Sequence, residues 1–189
     1  MKHPVVHIVG LIVLFAGLSA CSDDCYLPKQ SLMGVSFVNA QTGKDRTVVL
    51  TEVVGEGADS VLYSSSASKC YLPLKQLGDE TCFLVSLRDS FFAKPEMVVD
   101  TTYVWELDEN SDSIQVMQVD TSMVIPVTQC RLTVRHSQVA QYISPECGCG
   151  VAHRLSEVSF GTESVSCQTE ILNTNISNTN GEVHVQISW

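Results

Sequence analysis

The chain has 189 residues, with 11 Lys and Arg against 21 Asp and Glu and a formal net charge of −10. A polypeptide of this length suits one domain with a substantial hydrophobic core. The acidic balance argues against direct binding to nucleic acid or to anionic lipid headgroups, because both carry negative charge. It leaves cationic and neutral partners open.

The first 20 residues are predicted to form a secretory signal peptide. Lys2 is the only charged residue before an apolar run that begins at Val5, and small residues close the segment at Gly17, Ser19 and Ala20. A basic start, a short apolar run and small residues at the cleavage point are typical of such peptides. The run is too short to cross about 30 Å of hydrocarbon as a stable helix.

The cleavage point, Leu18-Ser19-Ala20-Cys21, resembles the lipobox of bacterial lipoproteins. In that class the cysteine thiol receives a diacylglycerol, and the amine freed by cleavage is then acylated. The resemblance therefore implies lipidation of Cys21 and a mature chain of residues 21–189. Several acyl chains, at ~0.8 kcal/mol per buried CH₂, would make this membrane anchor effectively permanent.

The residues after Cys21 bear on location and reach. Ser22-Asp23-Asp24 resembles the surface-export signal of Bacteroidota lipoproteins, so the outer membrane is the predicted location, on its periplasmic face or at the cell surface. Residues 21–24 form a short lipid-anchored tether. If Cys25 is disulfide-bonded into the domain, then at up to ~3.6 Å per residue the domain lies within roughly 15 Å of the headgroups.

Beyond residue 25 the chain is predicted to be a single all-β domain. Apolar residues alternate with polar ones with period two, as in half-buried strands. The strand-like segments lie around residues 35–37, 48–54, 61–63, 82–87, 98–107, 130–136, 153–160 and 165–171. Residues 114–119 and 123–127 are interpreted as a hairpin, and Asn180-Gly181 as a two-residue hairpin turn before a last strand. The expected architecture is an antiparallel β-sandwich of immunoglobulin type over residues 25–189.

This layout resembles a family of short, uncharacterised Bacteroidota lipoproteins. The motifs that carry the resemblance are Cys25, Leu72-Pro73-Leu74 before Thr81, Ile143-Ser144 before Cys147-Gly148, and the Asn-rich segment 173–180 before Val183-His184-Val185-Gln186-Ile187. The resemblance spans nearly all of the mature chain. It implies an all-β lipoprotein and assigns no activity.

Eight cysteines fit an oxidising compartment. Lipidation of Cys21 leaves seven, so at most three disulfides form and one thiol is left over. Cys70 and Cys82 bracket a short loop and are the most natural local pair. The preferred pairings are Cys70–Cys82, Cys25–Cys147, and Cys130 with either Cys167 or Cys149.

The alternative interpretation is a metal-binding or thiol-redox site formed by Cys147, Cys149, His153 and Cys167. Two thiolates and an imidazole can bind zinc or copper. However, structural zinc sites usually carry C-x₂₋₄-C, whereas this motif is C-x-C, and redox dithiols lie at a helix N-terminus that the sequence does not predict. Disulfides are therefore the favoured interpretation, and no metal or cofactor is predicted.

No recognised catalytic motif occurs: the chain has no G-x-S-x-G, H-E-x-x-H or P-loop sequence. Three tripeptides match the short Asp-Ser/Thr pattern of Bacteroidota O-glycosylation, with acceptors at Ser60, Thr101 and Ser113. The sequence thus predicts a non-enzymatic lipoprotein that serves as a binding or structural accessory at the membrane. Its expected partners are the membrane, through the lipid, and other outer-membrane proteins or glycans.

Overall fold

A computed structural model describes residues 31–107, 113–144, 148–177 and 181–189. The predicted signal peptide, the lipidation site Cys21, the tether, Cys25 and Cys147 lie outside the described residues, so the predictions made for them stay predictions. The described residues form strands and no helix, which confirms the all-β prediction.

The strands, in chain order, are β1 (Leu32–Val38), β2 (Val48–Gly55), β3 (Val61–Tyr63), β4 (Ser66–Ala67), β5 (Lys69–Pro73), β6 (Glu80–Arg88), β7 (Glu96–Leu107), β8 (Ser113–Val124), β9 (Thr128–Ser144), β10 (Gly148–Gly161), β11 (Gln168–Ile171), β12 (Asn175–Ile176) and β13 (Val185–Ser188). They form a four-stranded sheet in the order β11-β13-β1-β5 and a seven-stranded sheet in the order β12-β10-β9-β6-β2-β3, in which β4 also pairs with β2. Strands β7 and β8 pair with each other as a separate two-stranded ribbon.

One hydrophobic core joins the two larger sheets. Buried residues of β1, β5 and β13 belong to the same cluster as buried residues of β2, β6, β9 and β10. On β9 the alternation is regular: Cys130, Leu132 and Val134 are buried, while Arg131 and Arg135 are exposed. Each fully buried Leu, Val or Phe side chain contributes about 1.5–3 kcal/mol relative to exposure.

The sequence predicted antiparallel pairing throughout, and one strand pair is parallel instead. Strand β1 pairs with β13 in parallel, with Val35 beside Val185 and Phe37 beside Ile187. Antiparallel strands then flank this pair, β5 beside β1 and β11 beside β13. The parallel pair arises because both segments send alternate apolar side chains into the same core, and that alternation does not specify strand direction.

Asn180 of the predicted Asn180-Gly181 turn lies outside the described residues, and the strands before and after it do not pair with each other. Strand β13 pairs with β11 and β1, whereas β12, the strand before the turn, pairs with β10 in the other sheet. The chain therefore crosses between the two sheets at this point. Gly181 has a positive φ of 95°, as a tight turn requires, but a turn residue specifies a reversal and not the pairing of the flanking strands.

The hairpin predicted within residues 114–127 is also wrong. Strand β8 is continuous from Ser113 to Val124 and pairs along its whole length with β7. Asp120, Thr121 and Ser122 lie within the strand, where the sequence had suggested a break. This polar stretch is tolerated because the ribbon is exposed on both faces and needs no apolar alternation there.

An aromatic cluster and an ion pair close one end of the core. The Trp189 ring lies 5.8 Å from Phe37, 5.4 Å from Phe92 and 6.0 Å from Phe160, measured between centroids. The Arg46 guanidinium lies 5.1 Å above the Trp189 ring and donates two hydrogen bonds from Nη2 to the Asp89 carboxylate, of 2.7 and 2.8 Å. This pair ties the segment before β2 to the segment after β6.

Candidate functional sites

Of the four residues proposed as a metal or redox site, the structure describes the side chains of His153 and Cys167 only, and these two lie at opposite ends of β10. Cys147 lies outside the described residues. Of Cys149 only the backbone is described, in β10 opposite Tyr142 of β9. The Cys167 backbone N–H donates to the carbonyl of Phe160 at 3.0 Å, at the far end of β10 from His153. Seven residues of strand separate His153 from Phe160, roughly 23 Å. Within the described ranges no three His, Cys, Asp or Glu side chains form a group that could hold a metal ion.

The four cysteines whose side chains are described, Cys70, Cys82, Cys130 and Cys167, are free thiols. The predicted Cys70–Cys82 bond is not formed: the Cys70 side chain faces the core, and the Cys82 side chain does not. Cys70 lies within the core cluster, whereas the Cys82 thiol contacts Glu80 Oε1 at 3.5 Å and Thr133 Oγ1 at 3.8 Å on the outer side of the seven-stranded sheet. Short spacing in sequence therefore did not indicate proximity of the thiols.

Cys130 and Cys167 are neighbours in the fold. Burial raises the pKa of the Cys130 thiol to about 12, and the proximity of Cys167 and Asp89 adds to the increase. Burial likewise raises the pKa of Cys167 to about 11 and that of Cys70 to about 12. Only the thiolate is nucleophilic, so these raised pKa values argue against a reactive dithiol.

Two histidines meet inside the seven-stranded sheet. His136 on β9 and His153 on β10 place their Nδ1 atoms 3.2 Å apart, and the rings meet edge to face at 4.8 Å between centroids. His136 Nε2 lies 2.8 Å from the hydroxyl of Thr81, which in turn accepts a hydrogen bond from the backbone N–H of Lys75 at 3.0 Å. Sequence reasoning treated both as ordinary strand histidines and missed their juxtaposition.

This geometry keeps both rings neutral. One proton fits between the facing Nδ1 atoms, because a second would place two N–H donors against each other. Burial lowers the pKa of both rings; the neighbouring His136 lowers that of His153 further, and Asp79 partly offsets the decrease for His136. The side chains are only 2% and 4% exposed, which leaves no access for a substrate. The pair is a hydrogen-bonded element of the core.

A third histidine, His184, is also buried. Its Nδ1 accepts a hydrogen bond of 3.0 Å from the backbone N–H of Gly34, and its Nε2 has no partner among the described residues. Burial lowers the pKa of this ring as well. Gly34 permits the contact between β1 and the start of β13, since a Cβ at that position would overlap the backbone oxygen of Glu182.

The three predicted glycosylation acceptors are all exposed: Ser60 precedes β3, Thr101 lies in β7, and Ser113 begins β8. Their accessibility is compatible with modification, which stays a prediction.

The β7–β8 ribbon has two chemically different faces. Strand register puts odd-numbered residues of both strands on one face, here called the uncharged face: Met97, Val99, Thr101, Tyr103, Trp105, Leu107, Ser113, Gln115, Met117, Val119, Thr121 and Met123. Even-numbered residues form the acidic face, which carries all four charged residues of the two strands, Glu96, Asp100, Glu106 and Asp120, beside the apolar residues Val98, Val104, Ile114, Val116 and Val124. Exposure on the uncharged face is high, reaching 70% for Trp105 and 71% for Leu107.

Sequence reasoning missed this surface because it assigned residues 98–107 to a sandwich strand with one buried face. A signal was nevertheless present. Residues 96–107 and 113–124 contain no Lys or Arg, and their four acidic residues, Glu96, Asp100, Glu106 and Asp120, all fall at even positions. Charges confined to one parity within a strand lie on one of its faces and leave the other face uncharged.

Comparison with known protein families matches residues 50–189 to DUF6452, a family of unknown function. The expectation of an uncharacterised family is thereby confirmed for that region. No curated protein and no solved structure matches the chain. Among the described residues, no helix has the length and apolar character needed to cross a bilayer.

Proposed function

The chain belongs to DUF6452, a family of unknown function, and we propose from its own residues that it is a lipoprotein of the outer membrane. Cys21 carries the lipid, and the β-domain is a non-enzymatic binding or structural accessory held close to the membrane. The observation that carries the proposal is Leu18-Ser19-Ala20-Cys21 at the end of a short apolar run.

The chemistry of the described residues supports the non-enzymatic part. The imidazoles of His136, His153 and His184 are buried, and the pKa of each is lowered by that burial. Burial raises the pKa values of Cys70, Cys130 and Cys167, so their thiols stay protonated at neutral pH. The groups best suited to nucleophilic or acid–base catalysis thus serve the core, whereas the exposed feature is the apolar and acidic ribbon.

The shared core of the two sheets supports an immunoglobulin-like sandwich form for the domain. Two sheets share one core, and the first described strand pairs with the last. Ser31, the first described residue, donates a hydrogen bond of 3.0 Å to the carbonyl of Val151 near the start of β10. Ten residues separate Cys21 from Ser31, so even a fully extended tether spans at most ~36 Å. Other outer-membrane proteins and glycans lie within this reach.

The test is intact mass and membrane partition of the protein expressed in a bacterial host. The native chain should lack residues 1–20, carry the added mass of acyl chains, and partition into detergent. Cys21→Ser should lose the added mass and leave the membrane fraction. Cys25→Ser is the matched control, with the same substitution four residues later, and should retain both properties. A native chain without acyl mass, or an unchanged Cys21→Ser protein, would overturn the proposal.

A further inference from the structure

We propose that the β7–β8 ribbon binds an extended segment of a partner protein by β-strand addition, and that this segment alternates apolar residues with Lys or Arg. The inference specifies the partner within the binding role proposed above and does not depend on the lipid anchor. Three properties of the ribbon lead to it: two open edges, an uncharged face and an acidic face.

The open edges are the first property. Strands β7 and β8 pair only with each other, so each has a second edge without a strand neighbour among the described residues. Each strand has 12 residues, about 40 Å at ~3.4 Å per residue. Isolated two-stranded hairpins are marginal in water, and an unpaired edge is a template for another strand. A third strand would supply main-chain hydrogen bonds along this length.

The uncharged face sets one half of the partner's pattern. Its large apolar side chains, Met97, Val99, Tyr103, Trp105, Leu107, Met117, Val119 and Met123, are all more than half exposed. A face about 40 Å long and two strands wide covers ~400 Å², which is the size of functional apolar patches on monomers. A third strand added to the ribbon would place every second side chain on this face, and apolar side chains at those positions would continue it.

The acidic face sets the other half. Asp100 lies directly opposite Asp120 in the strand register, and like charges placed so are destabilising. Glu96 and Glu106 lie on the same face, and residues 96–124 provide no Lys or Arg to offset these carboxylates. A third strand with Lys or Arg at its alternate positions would place cations beside them. Charge complementarity of this kind favours encounter and fixes register.

The same charges disfavour a second copy of this chain. When two identical edges pair antiparallel, the two-fold axis is perpendicular to the sheet, so both acidic faces lie on the same side. The four carboxylates of one ribbon would then lie on the same face of the joined sheet as the four of the other. Apolar burial would have to exceed this repulsion.

The charges and the position of the ribbon also disfavour a lipid surface. Anionic headgroups repel the carboxylates. The ribbon leads into β9, which begins at Thr128. The first described residue, Ser31, contacts Val151, and Val151 lies opposite Ala140 of β9. Twelve residues of β9 separate these points, roughly 40 Å. The attachment of the ribbon is therefore remote from the end at which the tether enters.

The test uses the complete mature chain with Cys21→Ser, so that neither lipid nor detergent is present, and a ten-residue probe peptide of alternating Lys and Val. N-methyl groups on alternate residues block one edge of the peptide and prevent its self-association. Trp105 fluorescence reports binding: the only other tryptophan, Trp189, is 8% exposed, and Trp105→Phe supplies the baseline.

We expect the Lys-Val peptide to bind at least tenfold more tightly than two controls: alternating Glu and Val, and a block of five Lys followed by five Val. A peptide N-methylated on both edges should not bind. The double variant Asp100→Lys, Asp120→Lys should abolish the preference for the Lys-Val over the Glu-Val peptide, because two lysines then balance Glu96 and Glu106 on this face. An unchanged urea midpoint verifies that the core of these variants is folded, and an unchanged far-ultraviolet circular dichroism spectrum verifies that the ribbon strands are retained.

Three results would overturn the proposal. Equal binding of the block and alternating peptides would show adsorption without strand pairing. Concentration-dependent dimerisation that Trp105→Lys abolishes would assign the face to a second copy. Tighter binding to zwitterionic or anionic vesicles than to the Lys-Val peptide would assign it to lipid. None of these outcomes depends on lipidation of Cys21, so the anchor and the ribbon are tested separately.

Discussion

The three buried histidines should make the domain sensitive to mild acid. His3 and His7 fall in the predicted signal peptide, so His136, His153 and His184 are the only histidines of the mature chain. Burial lowers the pKa of all three in the folded state. As the pH falls, the unfolded chain therefore binds protons before the folded chain does, and stability decreases.

The pH window and the magnitude follow from this linkage. The loss begins near pH 6.5, where a histidine of the unfolded chain becomes charged, and ends once the pH falls below the lowered pKa values of the folded state. A ring that stays neutral in the fold costs about 1.4 kcal/mol at pH 5.5, so three such rings cost ~4 kcal/mol. Total stabilities are typically about 5–15 kcal/mol, so the effect is a large share.

Urea unfolding followed by circular dichroism at pH 7.5 and pH 5.5 measures the difference. We expect the free energy of unfolding to fall by up to ~4 kcal/mol between these values, and each single His→Gln variant to remove about a third of that change. Gln168→His is the matched control, since it adds an exposed histidine on β11, opposite Ser188, and should leave the pH dependence unchanged. Equal free energies at the two pH values would refute the reasoning.

Two further predictions concern the ion pair and the thiols. Asp89→Ala should lower the free energy of unfolding by about 3 kcal/mol, because it leaves the partly buried Arg46 guanidinium without its carboxylate. Glu56→Ala is the control: it removes the exposed ion pair with Arg131 and should barely change the urea midpoint. With pKa values of about 12, Cys70 and Cys130 should hold over ~1,000-fold less thiolate at pH 7.5 than ordinary cysteines. Maleimide labelling followed by peptide mass analysis should therefore find them unreactive until urea is added, and native labelling at the unfolded rate would contradict the assignment.

Period-two alternation predicted most of the strands but not their partners. The inward positions of β9, and Val35 and Phe37 of β1, follow directly from the apolar residues in their segments, whereas β6 is apolar at consecutive positions and its inward face does not follow from them. Pairing depends on which edges meet once the core has formed, and local pattern does not carry that information. This is why the parallel β1–β13 pair and the crossing of the chain between β12 and β13 were not predicted.

The cysteines illustrate a limit of reasoning from the cellular compartment. An oxidising location and short spacing favoured a Cys70–Cys82 bond, yet these residues lie in different sheets, one in the core and the other outside it. By contrast Cys130 and Cys167, 37 positions apart in sequence, are brought close by the hydrogen bond between Cys167 and Phe160 on β10. Proximity across sheets is a property of the topology, which spacing does not encode.

The histidine pair depends on one β-bulge in β10, and the sequence of β10 indicates that bulge. Along β10 the inward positions are odd at His153 and Leu155 and even at Val158 and Phe160. A strand keeps one parity on one face, so this change requires one extra residue between 155 and 158. The register against β9 shows that bulge, between Leu155 and Glu157. The bulge aligns Leu155 with His136, and this alignment leaves His153 diagonally beside the His136 ring. Parity within β10 therefore predicts the bulge, but the partner strand and its register are needed to predict that two imidazoles meet there.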